Sequence, residues 1–389
     1  MPDLPKPFFV LAPMDDVTDT VFRQIVQSCA PADLYVTEFV NVDGLQSAGR
    51  AKLLPKLQFA ASEGPLIAQL WGKNPDNFYK TARQIADGSL ARELGLPEGV
   101  NFVGVDLNMG CPAKSEVQNG TCSALILPMN RELASQIIDA CREGLASALA
   151  NSDHLSSHSK DMDVSSDPLG AQSSDSYTPP QVSSAETPRS HRAKPDTGQS
   201  RGVQMLGTSL PLSVKTRLGY HEVDYSWHEF LLNKKLNMLT IHGRTKKQMS
   251  KVPAEWDKIE KVRELRDRLS PTTLVVGNGD VMNREQGVEL AKKHGLDGIM
   301  IGRGVFQDPF VMVADSPWES ISKEDRIKLY QRHVELFAKT WTNNERRLIT
   351  LNKFCKVYIN GFDGAKEMRE KLMVCDTADQ LLALLETAQ

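Results

Sequence analysis

No run in the sequence approaches the roughly 18 consecutive apolar residues that a membrane-spanning helix needs. The expectation is a soluble protein that does not enter a membrane. No leader is expected either. Met1-Pro-Asp-Leu-Pro-Lys-Pro7 passes straight into an apolar strand, with neither the apolar core of a secretory signal nor the Arg-rich, acid-poor character of a transit peptide, so the expected location is cytoplasmic. There is no CxxC pair. The six cysteines (Cys29, Cys111, Cys122, Cys141, Cys355 and Cys375) are scattered, which argues against a zinc site and a disulfide framework. Free thiols and no metal are expected. Nor is there a general excess of positive charge: a net charge of −3 excludes a protein coated in basic surface.

What positive charge there is lies concentrated. Lys234, Lys235, Arg244, Lys246, Lys247 and Lys251 fall in one stretch without an acidic residue, and Lys339 to Lys371 holds eight basic residues against four acidic. At 389 residues the chain exceeds what one hydrophobic core usually supports, so two domains are expected. Short apolar runs rich in β-branched residues alternate with amphipathic stretches, the pattern of βαβ units around a parallel sheet. Eight such runs are Phe8–Ala12, Leu34–Thr37, Leu66–Leu70, Phe102–Leu107, Leu212–Thr216, Met238–His242, Thr273–Gly277 and Gly298–Ile301. Helices are expected at Asp19–Cys29, Asn77–Ala86 and Arg131–Ala148. The implied fold class is α/β, a TIM (β/α)8 barrel over residues 1–312.

One stretch interrupts the rhythm. From about 151 to 203 the chain is about a quarter Ser with few large apolar residues, so it is expected to be a disordered insertion. It joins the fourth helix to the fifth strand, away from the face where barrels carry their active sites. After Ser316 the strand pattern stops, and helical patterns at Arg326–Thr340, Glu345–Tyr358 and Ala378–Thr387 indicate a small C-terminal helical domain over 317–389.

Barrel chemistry sits at the C-terminal ends of the strands. After strand seven comes Gly277-Asn-Gly-Asp280, and after strand eight Gly302-Arg-Gly304; both turns let backbone N–H groups approach an anion, and Arg303 adds a planar donor fork. The pair fits a phosphorylated ligand. Lys215 and His242 end strands five and six, and Gln69 is an amide inside an apolar strand, where it must find hydrogen-bond partners. Strand four leads into Asn108-Met-Gly-Cys-Pro112, which presents the Cys111 thiol on a loop at the same face. Such a cysteine can act as nucleophile or acid. An unperturbed thiol pKa near 8.5 leaves it mostly protonated at neutral pH, and the acid role is preferred.

Taken in order, these segments resemble the tRNA-dihydrouridine synthase family, and the likeness covers nearly all of the chain outside the Ser-rich insertion. Leu11-Ala-Pro-Met-Asp-Asp-Val-Thr-Asp19 is similar to the family's opening segment and Asn108-Met-Gly-Cys-Pro112 to its catalytic loop. The resemblance implies an FMN enzyme, with NADPH or NADH as reductant, acting on tRNA as a monomer. It implies that Pro13, Met14, Asp15 and Gln69 line the flavin and that Lys215 approaches its N1/O2 edge. His242, Asn278, Gly279, Asp280, Gly302 and Arg303 would complete the ring and phosphate contacts. Cys111 would protonate uracil C5 while hydride reaches C6, and Asn108 would position the base. Arg244 and Lys246, with Arg346, Lys353 and Lys356 near one helical face, would contact the tRNA. One departure stands out: where many relatives carry Gly-Ala-Gly or Gly-Gly-Gly, this chain has Gly120-Thr-Cys-Ser-Ala-Leu125. Two other readings are a flavin barrel reducing a free pyrimidine, of the dihydroorotate dehydrogenase kind, and an RNA-binding protein that keeps the barrel as a scaffold.

Overall fold

The computed structural model describes residues 4–157 and 209–387. Most of the expected Ser-rich insertion therefore lies outside the described residues. The helix leading to it, Arg131–Ser157, runs further than the expected end at Ala148.

The described residues form nine parallel strands: β1 (Phe8–Leu11), β2 (Leu34–Val36), β3 (Val40–Asn41), β4 (Leu66–Trp71), β5 (Gly104–Met109), β6 (Leu212–Arg217), β7 (Met238–His242), β8 (Leu274–Asn278) and β9 (Gly298–Ile301). β1 pairs with both β2 and β9, and β2 with β4, which closes the barrel. The strand beyond the eight expected, β3, resumes the pairing of β2 along β4, Val40 opposite Leu70. At the break the Thr37 hydroxyl accepts the Gln69 N–H at 3.0 Å, standing in for a backbone carbonyl. The fourth expected strand shifts from Phe102–Leu107 to Gly104–Met109, because the register of β5 starts with Gly104 opposite Ile67. That shift brings Asn108 inside the sheet.

Side chains along a strand alternate between its two faces, so every second residue looks into the barrel. At the N-terminal end the interior is filled by Phe8, Val10, Leu34, Val36, Ile67, Met238, Val276 and Met300. Two residues further along, the character changes. Ile67 gives way to Gln69, Ser213 to Lys215, Met238 to Thr240 and then His242, and Val276 to Asn278. An apolar plug thus lies beneath a polar mouth. On the outside, helices such as Thr20–Cys29, Trp256–Leu269 and Arg284–His294 bury Phe22, Ile25, Ile259 and Ala291 against the sheet.

Helices Lys323–Thr340, Asn352–Tyr358, Ala365–Leu372 and Ala378–Thr387 follow the last strand. They dock on Thr20–Cys29 through rings, Phe22 lying 4.7 Å from Phe354 and 5.9 Å from His333 between centroids. The expected helix Glu345–Tyr358 starts later, at Asn352, after a 3-10 turn over Leu348–Leu351. Upstream, the Glu345 carboxylate turns back to accept the Asn343 N–H, and Arg346 reaches into the barrel rim. Ala365–Leu372 had no counterpart among the expected helices. Among the described residues no helix is long and apolar enough to cross a membrane.

Candidate active site

Four interior residues of the mouth form one hydrogen-bonded chain. Asp106 on β5 is buried and accepts from the Ser213 hydroxyl at 2.6 Å and from Gln69 Nε2 at 2.7 Å. The other end of the Gln69 amide accepts from Asn108 Nδ2 at 3.1 Å. Asn108 Oδ1 in turn accepts the backbone N–H groups of Gly110 and Cys111, at 3.1 and 2.9 Å. Burial lifts the Asp106 pKa to about 6, opposed by the bonds from Ser213 and Gln69 and by the charge of Lys215. Burial, with help from Arg217, lowers the Lys215 ammonium to about 8, while Asp106 opposes. Lys215 has no hydrogen-bond or ion-pair partner among the described residues. A half-buried cation opens on the mouth, and only Asp106 and the Cys111 thiol act on its charge, from a distance.

Cys111 follows β5 on a loop that is tied down at both ends. Its carbonyl accepts from the Ser123 N–H and hydroxyl, and Arg217 Nε donates to the Gly110 carbonyl at 2.8 Å. The same guanidinium donates to the carbonyls of Thr245 and Met249, at 3.1 and 2.9 Å, so Arg217 staples the loops after β5 and β7 together. Sequence reasoning gave Arg217 no role. Its signal was present: two residues beyond Lys215, it lies on the same face of the strand. The Cys111 thiol is acted on by the thiol of Cys122 as a donor, and Cys122 occupies a left-handed backbone position (φ 53°) in the segment Gly120–Leu125. That bond draws the Cys111 pKa down to about 7 against burial, with the Ala113 N–H and Arg217 assisting. Its partner Cys122 is pushed well above the usual thiol range by the same bond and by burial. The Cys111 thiol therefore lies below the ordinary thiol range from which the acid role was expected.

The turns after β8 and β9 stand side by side. Asn278 donates to the Met300 carbonyl at 2.9 Å, and Gly279 adopts φ 136°, where an added Cβ would lie 2.7 Å from Ala254 Cβ. Gly302 is less constrained, since a Cβ there would meet Ala12 and Met14 only at ordinary contact distance. Asp280 behaves differently from the anion-binding residue expected. Its carboxylate is ion-paired with Arg244, receives Arg303 Nη2 at 2.8 Å and accepts the Ala254 N–H at 2.9 Å. Burial pushes its pKa up, but these partners hold it below the usual range. The carboxylate thus holds both guanidiniums, of Arg244 and Arg303, on one side chain. Burial and the charges of Lys215, Arg217, Arg244 and Arg303 press the His242 pKa far down, leaving a neutral imidazole whose Nε2 accepts from Arg244 at 3.1 Å. Next to the turn after β9, Met14 N–H is held by Thr18 at 2.9 Å and Asp15 is ion-paired with Lys56.

The residues expected to meet a nucleic acid separate into two groups. Arg244 is buried and committed to Asp280, His242 and Val252, so it is not a surface phosphate contact. Arg346 is buried against Glu38, with Asp16 beside it at 3.4 Å, and Lys353 donates to the Asp16 carbonyl. These two fasten the C-terminal helices to the barrel, and Arg346 lies outside the helix whose face it was expected to share. By contrast, Lys356, Lys247 and Lys251 are exposed, and Lys246 lies over the Tyr220 ring at 5.0 Å.

A closed parallel barrel whose ionisable side chains converge at the C-terminal ends of its strands has the layout of the (β/α)8 enzymes. Within that class, the model of the dihydrouridine synthase (Dus) family matches residues 10–147 and 203–389, and the chain belongs to that family. It is 34% identical over 387 residues to the "Probable tRNA-dihydrouridine synthase" of Staphylococcus aureus (strain Mu50), covering 99% of this chain and 94% of that protein. The "Probable tRNA-dihydrouridine synthase 2" of Bacillus subtilis (strain 168) is 34% identical over 388 residues, with the same coverage. Among solved structures, histamine dehydrogenase from Rhizobium sp. 4-9 matches 84% of this chain and 48% of that one, with a TM-score of 0.46 and 11% identity.

Proposed function

We propose that this chain is a tRNA-dihydrouridine synthase: an FMN-dependent oxidoreductase that reduces the C5–C6 double bond of uracil in particular tRNA uridines, with NADPH or NADH as reductant. The observation that carries the reading is the convergence, in one mouth, of a tethered Cys111 and a Lys215 cation without a hydrogen-bond or ion-pair partner among the described residues, in a chain of this family. A half-buried ammonium without a directly paired anion is costly. An anionic flavin edge supplies the missing partner, so the residues fit the cofactor. Pro13, Met14 and Gln69 would border the ring system with Lys215. His242, Asn278, Gly279, Gly302 and Arg303 would hold the remainder and its phosphate, with Asp280 aiming Arg303. When bound, the FMN would take hydride from the nicotinamide and deliver it to uracil C6.

The protein's own residues account for the rest. The uridine must leave the tRNA stack to enter the mouth. Asn108 stands beside the thiol to orient the base, and Cys111 in its protonated form gives its proton to C5. The resulting thiolate is stabilised by the Cys122 hydrogen bond and recovers a proton from solvent. Lys246, Lys247, Lys251 and Lys356 offer charge to the tRNA backbone around the mouth, with the C-terminal helices forming one side of the path. Mass spectrometry of tRNA from cells lacking the gene, complemented with wild type or Cys111→Ala, tests the reading. Dihydrouridine should be lost at defined positions and restored by wild type only. Unchanged dihydrouridine in the deletion strain would refute it.

A further inference from the structure

We infer that Asp106, buried at the base of the mouth, sets which way the Gln69 and Asn108 carboxamides face and through them holds the Cys111 loop in its working position. The argument starts from the ambiguity of an amide side chain. Its O and NH2 ends are nearly the same shape, and only their partners decide the orientation. An ionised carboxylate can only accept. Gln69 must therefore turn its NH2 end to Asp106, as the 2.7 Å bond shows. Its oxygen is then left for Asn108, which must offer its own NH2 end, at 3.1 Å. The Asn108 oxygen consequently faces the loop, where two backbone N–H groups, of Gly110 and Cys111, converge on it at 3.1 and 2.9 Å.

One acceptor at the base of the barrel mouth fixes the polarity of each link above it. Take it away and Gln69 is free to turn over. Asn108 would then present NH2 to two N–H donors, and the Cys111 loop would lose its anchor. The second Asp106 oxygen is engaged by Ser213 at 2.6 Å, which keeps the carboxylate in line with β4. The opposed charge of Lys215 helps keep it ionised at neutral pH. A positioning role in proton donation rests on the reaction proposed above; the orientation of the loop does not.

The test uses the full-length flavoprotein and reads alkylation of Cys111 by iodoacetamide across pH, located by peptide mass spectrometry. Asp106→Leu and Gln69→Leu break the chain at successive links. Each should change the Cys111 rate by about tenfold or more, the scale on which small misplacements act, and should shift its pH midpoint. The double variant should be no worse than either single one, because both remove the same constraint. Asp106→Asn still offers an oxygen to Gln69, with the Ser213 hydroxyl free to reverse, and should recover most of the rate. Under single turnover with tRNA, the same variants should lower the rate of reduction more than they weaken tRNA binding. Wild-type alkylation in a folded Asp106→Leu protein would overturn the inference, as would additive effects in the double variant. If Asp106→Leu fails to fold, wild-type behaviour of Gln69→Leu overturns it instead. A protein that shows the alkylation pattern but reduces no uridine refutes the proposed reaction and leaves the loop-positioning inference intact.

Discussion

Replacing Cys122 should move the ionisation of a different residue, Cys111. With a pKa of about 7, Cys111 is half thiolate at pH 7, whereas an unperturbed thiol near 8.5 would be about 3% ionised. The ionised fraction thus differs about sixteenfold. A thiolate of lower pKa is also a weaker nucleophile, with a slope of about 0.4–0.5 per pH unit, which shrinks the rate difference at pH 7 to about three- to fourfold. The midpoint of the pH profile is therefore the sharper observable. Alkylation by iodoacetamide should titrate near pH 7 in wild type and move toward about 8.5 in Cys122→Ala. Cys122→Ser, which keeps a hydroxyl donor in place, should fall between them. Competing thiols do not blur the result, because burial raises Cys29 to about 11 and also raises Cys375. The direction reverses for catalysis. A proton donor must carry its proton, so single-turnover reduction of tRNA should decline as pH rises through about 7, and the decline should move to higher pH in Cys122→Ala. A wild-type alkylation midpoint at or above about 8.5, or a Cys122→Ala protein that titrates like wild type, would refute the reasoning.

Further outcomes concern stability, association and the insertion. The Asp106 pKa of about 6 exceeds its ordinary value, so its contribution to stability is greatest at low pH and is lost as pH rises through about 6. Keeping it ionised at neutral pH costs about 3 kcal/mol, and Asp106→Asn should melt higher than wild type at pH 7.5 in calorimetry. Arg346→Ala leaves Glu38 buried and unpaired and should destabilise by about 3–5 kcal/mol in urea unfolding; Glu38→Gln in the same chain should recover part of that loss. Lys356→Ala should weaken tRNA binding and reduce the salt dependence of the affinity by about one counterion, measured by filter binding at several ionic strengths. Replacing residues 158–208 by a short Gly-Ser linker should leave uridine reduction largely intact, read by mass spectrometry of the product.

The barrel was legible because its strands are covered on both faces and so read as apolar runs, each bounded by turn residues. Their ends were less so. Asn108 lies inside β5 because of its pairing with Lys215 on β6, a partner more than a hundred residues away in sequence. Lys215 and Cys111 were singled out from position, as polar groups at the ends of strands, and Asn108 through the family resemblance. The partners of Arg244, Asp280 and Arg346 were hidden from the sequence for a common reason. A sequence displays a charge but not the charge opposite it, and Arg346 meets Glu38 across 308 positions. Cys122 was visible only as a departure from a glycine run. Nothing local announced that its thiol would point at Cys111.

The helix Arg131–Ser157 carries the chain away from the mouth, and β6 re-enters at Leu212 beside Val105, at the start of β5. Both ends of this connection belong to the pole opposite Cys111. A surface tether or optical reporter spliced between Ser157 and Ser209 would therefore hold the molecule by its back. Every immobilised copy would then turn its mouth outward, toward a substrate as bulky as a folded tRNA.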